Sequence, residues 1–158
     1  MLDLLGNALL DYQKGDRLED VYVETNISEK EILFPSHFFR TFPQMIPLEQ
    51  SALTMAKGRI LDVGAGTGSH VLYLQEKGLD VVALDVSPSA IEVCKRRGVK
   101  QAVCADVLEY NGKFDTILML MNGIGICQKL AKIDIYLQKL KSLLTPTGQI
   151  LATSTDII

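Results

Sequence analysis

Apolar positions along the chain fall into two regimes that meet near Lys57. Beyond it, short runs that are apolar throughout alternate with stretches in which apolar residues recur every three or four positions. The runs are Arg59 to Gly64, Val81 to Asp85, Val99 to Ala105, Phe114 to Met121 and Gly148 to Ser154. Their length and their bounding glycines and prolines read as buried strands. Between them, Thr67 to Lys77, Ser87 to Arg97 and about Lys132 to Leu144 read as helices. Gly78 stops the first of these. Ser87 and Pro88 supply an N-cap and a first helical residue for the second. Pro146 and Gly148 lie just past the third.

Strands joined by single helices must run parallel, because a crossover returns the chain to the same end of the sheet. Such a sheet is covered on both faces, so its strands are apolar throughout rather than alternating. The pattern predicts an α/β, doubly wound, mostly parallel sheet of five strands. Ahead of Lys57, Leu2, Leu5 and Leu9 recur at helical spacing, and a polar stretch runs from Gln13 to Glu31. An aromatic, proline-punctuated segment holds Phe34, His37, Phe38, Phe39 and Phe42. Pro47 and Glu49 then suit the first turn of a helix reaching about Met55. Two regions are expected: a helical N-terminal extension over 1–57 and the α/β domain over 58–158.

Composition narrows the classes. With 47% hydrophobic and 22% charged residues, the 158-residue chain is a globular domain rather than a disordered one. A net charge of −3 lacks the basic surplus that phosphate neutralisation needs, so no nucleic-acid partner is expected. The longest apolar run, Ile117 to Met121, falls far short of the ~20 residues of a membrane-spanning helix. No signal peptide is read, and a cytoplasmic location without membrane contact is expected. Cys94, Cys104 and Cys127 are odd in number and widely spaced, which suits reduced thiols rather than disulfides or a metal site.

Ligands of doubly wound sheets bind beyond the carboxyl ends of the strands. Here those ends carry Asp62-Val-Gly64-Ala65-Gly66-Thr-Gly68, then Asp85, Ala105-Asp106 and Met121-Asn122-Gly123. A dinucleotide loop reads GxGxxG, but Ser69 stands where its third glycine belongs. Glycine lets backbone approach a ligand closely. The Asp62 carboxylate repels a pyrophosphate and favours an ammonium group. These features point away from NAD and toward an amino-acid-bearing cofactor.

Over about residues 58 to 155 the chain resembles the class I S-adenosylmethionine-dependent methyltransferases, whose first motif reads (D/E)xGxGxG. The resemblance implies S-adenosyl-L-methionine as cofactor, held by Asp62 and by the loop residues Gly64, Ala65, Gly66 and Gly68. It places Asp85 on both ribose hydroxyls, a task a carboxylate performs by accepting two O–H groups. It places Asp106 on the adenine amino group, with Val86 and Val107 as walls for the ring. Plainer readings exist beside these: a tight turn for the glycines, a helix cap for Asp85, and a turn aspartate for Asp106. Asn122 either lines the pocket near the methyl group or is a left-handed turn residue before Gly123.

Tyr12, Phe38, Phe39 and Arg40 either cover the cofactor, with Arg40 near its carboxylate, or pack the extension onto the sheet. Lys95-Arg96-Arg97 reads as a solvated helix end favoured by the dipole, and His37 reads as incidental.

The resemblance implies in-line methyl transfer, in which the protein positions an acceptor and excludes water. It assigns no catalytic residue. Asn122-Gly-Ile-Gly125 lacks the (D/N)PP(Y/F) motif of amino-directed DNA methylation, and no Pro-Cys pair is present. A small-molecule acceptor is therefore expected. Alternatives are a non-catalytic module that binds S-adenosylmethionine or S-adenosylhomocysteine and, disfavoured by Asp62, an NAD-dependent oxidoreductase. Family sheets have seven strands, so the resemblance also implies a C-terminally incomplete sheet lacking its last two strands, in a fragment where binding survives and turnover does not. The fifth strand, with Ile150, Leu151 and Ala152, would then be an exposed edge open to homodimer pairing.

Overall fold

The computed structural model describes residues 3–16, 21–24 and 30–154. Helix α1 (Leu4–Lys14) starts where the Asp3 side chain accepts from Gly6 N and ends at Gly15, in the left-handed conformation. Strands β1 (Val21–Val23) and β2 (Glu31–Leu33) follow, then 3-10 turns at Pro35–Phe39 and Phe42–Gln44 and helix α2 (Pro47–Met55). The α/β part alternates β3 (Arg59–Val63), α3 (Ser69–Glu76), β4 (Asp80–Asp85), α4 (Pro88–Arg96) and β5 (Ala102–Cys104). It closes with β6 (Phe114–Met119), two more 3-10 turns, α5 (Ile133–Leu143) and β7 (Leu144–Ala152).

The parallel sheet has the order β5-β4-β3-β6-β7. Strand β3 is central: Leu61 pairs with Val82 of β4 and with Ile117 of β6. The chain steps outward from β3 to β5 and then returns to the other side of β3. A crevice therefore opens beyond the carboxyl ends of β3, β4 and β6. Side-chain alternation feeds two cores. Ile60, Ala83 and Leu118 pack with Leu53, Val71 and Leu74 from α2 and α3. Leu61, Val82 and Ile117 pack with Tyr136, Leu140 and Leu143 of α5.

The expected loss of the last two strands is not supported. The described residues hold seven strands, five in the parallel sheet and two in a separate antiparallel pair that matches Val21 with Leu33 and Val23 with Glu31. Strands β1 and β2 are three residues each, too short for alternation to stand out within a polar stretch. The N-terminal extension is therefore not purely helical. Strand β7 begins at Leu144, ahead of the expected Gly148, and runs through Pro146. That proline is tolerated because β7 borders only β6, with a register shift between Phe114 and Thr116.

Ser87 is among the side chains that fix the extension to the sheet domain. Ser87 Oγ caps α4 by accepting from Ala90 N at 2.9 Å and donates to Asp3 Oδ2 at 2.8 Å, which also accepts from Ser89 N at 3.2 Å. Asp3 thus serves the starts of both α1 and α4. Burial opposes its charge, yet hydrogen bonds from Ser87, Ser89 and Gly6 hold its carboxyl below the usual range. Among the described residues, no helix is long and apolar enough to cross a membrane. Cys94, Cys104 and Cys127 are all free thiols.

Candidate functional site

The turn that follows β3 carries three glycines at positive φ: Gly64 (76°), Gly66 (54°) and Gly68 (76°). They serve two purposes. A Cβ built on Gly64 or Gly66 would meet nothing within 4 Å, whereas one on Gly68 would lie 2.8 Å from Val99 Cγ2 and 3.0 Å from Cys94 Sγ. Gly68 lets α3 start against α4, and the first two glycines face open space. Backbone bonds hold the turn: Gly64 N and Ala65 N both donate to Leu84 O, at 2.8 and 3.2 Å.

Asp85, at the end of β4, completes this wall. Its Oδ2 accepts from Gly66 N at 2.8 Å and its Oδ1 from Ser87 N at 2.9 Å. Burial raises its carboxyl above the usual range against those two bonds, and the nearby charges of Asp62 and Asp3 push the same way. Gly64, Ala65, Gly66 and Asp85 line a cleft that encloses about 660 Å3, part of it open to solvent. Leu5 and Leu9 of α1, Phe38, Arg40 and Met121 close its other sides.

Beside the cleft lies a row of alternating charges. Arg40 Nη2 donates to Glu49 Oε1 at 3.0 Å and Oε2 at 3.2 Å. His70 Nε2 lies 3.2 Å from Glu49 Oε2, and His70 Nδ1 forms an ion pair with Asp62 Oδ2 at 3.8 Å. Burial alone would lower the His70 pKa, but Asp62 and Glu49 together raise it to about 9. The ring is then an imidazolium at neutral pH, with an N–H directed to each carboxylate. Glu49 is held below its usual range, first by His70 and then, against burial, by Arg40. Asp62 is 1% exposed, and its Oδ2 makes no hydrogen bond.

The cover over this site is bolted down from α4. Arg97 Nη1 donates to Thr67 O, Thr67 Oγ1 and Ser69 Oγ at 2.8 to 2.9 Å. Both hydroxyls in turn donate to Phe38 O. The Arg97 guanidinium lies 5.0 Å from the centre of the Phe39 ring, which packs on Tyr12 at 4.9 Å. Arg97 is thus no part of a solvated helix end. It links α4 to the glycine turn and to the aromatic segment.

The remaining expected residues scatter. Val86 is 60% exposed just past Asp85. Asp106 follows β5, and its Oδ1 accepts from Leu108 N at 2.8 Å, the geometry of an Asx turn. Val107 is 1% exposed and packs in the core against α5, which corrects its expected place as a wall for a ligand ring. Asn122 is left-handed (φ 63°) at the start of the third 3-10 turn, and it borders a second hollow beside the cleft.

Sequence reading missed His70 and saw Glu49 only as a helix-start acid. The available signal was periodicity, since His70 and Leu74 share the buried face of α3. A histidine on such a face requires partners.

A family model described as "Methyltransferase domain" matches residues 60–148. A crystal structure of a SAM-dependent methyltransferase from Bacteroides fragilis in complex with S-adenosyl-L-homocysteine is 43% identical. It superposes with a TM-score of 0.91 over 98% of this chain and 65% of that one. The tRNA (uracil(54)-C(5))-methyltransferase of Pyrococcus horikoshii is 31% identical over 129 residues, 73% of this chain and 31% of that protein. The ubiquinone biosynthesis O-methyltransferase of Chelativorans sp. is 30% identical over 98 residues, 57% of this chain and 37% of that protein. The chain thus spans about a third of the length of these curated relatives.

Proposed function

Because this chain belongs to the methyltransferase domain family, we propose that it binds S-adenosyl-L-methionine in the cleft beyond β3 and β4 and transfers the methyl group to a small-molecule acceptor. The observation that carries this reading is the pair Gly64 and Gly66, whose missing Cβ atoms face open space in the wall they share with Asp85. The cofactor supplies an activated methyl sulfonium, open to in-line displacement by an acceptor atom. The residues present fit it. The glycine turn leaves a cradle that side chains would fill. Asp85 retains lone pairs for ribose hydroxyls beside its two backbone bonds. Asp62 is buried behind the turn, where its carboxylate pairs with His70 and supports the wall without lining the cleft.

The protein's own contribution is positioning and exclusion of water. Arg97 holds the 38–39 segment over the turn, and the Arg40–Glu49–His70–Asp62 row keeps the adjoining wall rigid with its charges balanced. No side chain is assigned to proton removal, and none is required unless the acceptor holds its proton tightly.

The test is release of S-adenosylhomocysteine from S-adenosylmethionine in the presence of mixed small hydroxyl and amine acceptors. Acceptor-dependent release supports the transferase. Tight cofactor binding without release would make the chain a binding module, and tight NAD binding in its place would overturn the reading.

A further inference from the structure

We propose that Asp3 is a positioning residue of the cofactor site, acting through Ser87 on Asp85. This rests on the cofactor reading above. It makes the first turn of α1 a working part of the ribose site, although α1 lies far from the glycine motif in sequence.

Ser87 divides its two donors between two carboxylates. Its amide donates to Asp85 Oδ1 at 2.9 Å, and its hydroxyl donates to Asp3 Oδ2 at 2.8 Å. The hydroxyl oxygen also accepts from Ala90 N at 2.9 Å, while Asp3 Oδ2 accepts a second bond from Ser89 N at 3.2 Å. One oxygen of Asp3 therefore holds the residues on both sides of Pro88, where the chain leaves β4 and enters α4.

Asp85 depends on that corner. Its Oδ2 is fixed by Gly66 N at 2.8 Å and its Oδ1 by the Ser87 amide. Together the two bonds set the plane of the carboxylate, and so the directions of the lone pairs left for ribose hydroxyls. The last torsion of an aspartate is otherwise broad, and a carboxylate released at one oxygen would turn and misdirect both.

Helix α1 is shaped to deliver Asp3. Gly6 is buried, and a Cβ there would collide with Ser87 Oγ and with the Asp3 carboxylate. One turn on from Asp3, Asn7 Oδ1 accepts from Ser89 Oγ at 2.6 Å. Leu5 and Leu9 of the same helix line the cleft. The helix that closes one side of the cleft thus also aims the carboxylate that serves it.

This role differs from capping α1, and Asp3→Ser separates the two. Serine caps a helix as well as aspartate does, but its hydroxyl stops a bond short of Ser87. Asp3→Asn is the conservative counterpart, because its amide oxygen keeps the reach of the carboxylate. Each protein is titrated calorimetrically with S-adenosylhomocysteine and with its 2′-deoxy analogue, which lacks one of the hydroxyls assigned to Asp85. Thermal melts confirm that each is folded. The unmodified chain is expected to bind S-adenosylhomocysteine about tenfold tighter than the analogue. In Asp3→Ser that ratio should fall to about threefold or less, with affinity for the analogue little changed, and in Asp3→Asn it should stay near its original value.

Equal weakening of both ligands by Asp3→Ser, the mark of a merely structural role, overturns the proposal. So does an unchanged ratio in Asp3→Ser, or an Asp3→Asn ratio as low as that of Asp3→Ser. An unmodified chain that binds both ligands alike, or neither, fails the cofactor reading itself, and the proposal falls with it.

Discussion

His70 Nε2 and Glu49 Oε2 lie 3.2 Å apart between the glycine turn and α2. Both side chains are buried, and neither belongs to the loop motif. Glu49 closes a charge row from Arg40 through His70 to Asp62, so the wall of the cleft depends on an imidazolium buried between two carboxylates. Removing one member of such a row leaves a buried charge uncompensated.

Stability should follow the charge on His70. Its folded pKa, about 9, lies above the ordinary 6.5. The stabilisation is therefore complete below about pH 6.5 and is lost as pH rises through about 9. Thermal unfolding should show a fall on the order of 2–3 kcal/mol across that window. The fall should flatten in His70→Gln. Equal slopes in the two proteins would show that the imidazolium is not the titrating group.

The glycines should separate by purpose. Gly66→Ala places a side chain at positive φ, at a cost of about 1 kcal/mol, and also obstructs the open cradle. S-adenosylhomocysteine binding should fall far more than stability does. Gly68→Ala adds a clash with Val99 and Cys94 and should destabilise by a further ~1–3 kcal/mol. Urea unfolding alongside calorimetric titration distinguishes the two, and identical behaviour would contradict the assignment.

Arg97→Ala removes three donor contacts that hold the cover. A loss of about 1–3 kcal/mol is expected, with weaker S-adenosylhomocysteine binding as the 38–39 segment loosens. A variant as stable as the original would restore the view of a solvated helix end.

Strand β7 offers the outer edge of the described sheet, with Ile150 and Leu151 half-buried. Pairing between two copies through this edge would give concentration-dependent dimers in sedimentation velocity, suppressed by Ile150→Pro. A monomer at every concentration would end this expectation.

The parallel sheet was legible because continuous apolar runs and helix punctuation act locally. Ser87 and Pro88 start α4 where the sequence places them, and Gly64 and Gly66 turn where expected. Long-range geometry was not legible. Arg97 stands in a basic triplet like any exposed one, and only the fold brings Thr67, Ser69 and Phe39 to it. Val107 follows a strand-end aspartate, yet the turn at Asp106 rotates it into the core. The β1–β2 pair depends on partners eight or more residues apart, and its strands are too short to show a period.

The cofactor cleft itself is tested most directly by calorimetric titration of S-adenosylhomocysteine into the chain and into Asp85→Ala, with thermal melts confirming that both are folded. Saturable binding to the first, weakened about tenfold or more in the second, is the predicted result. Absence of binding, or the same affinity in both proteins, would contradict it.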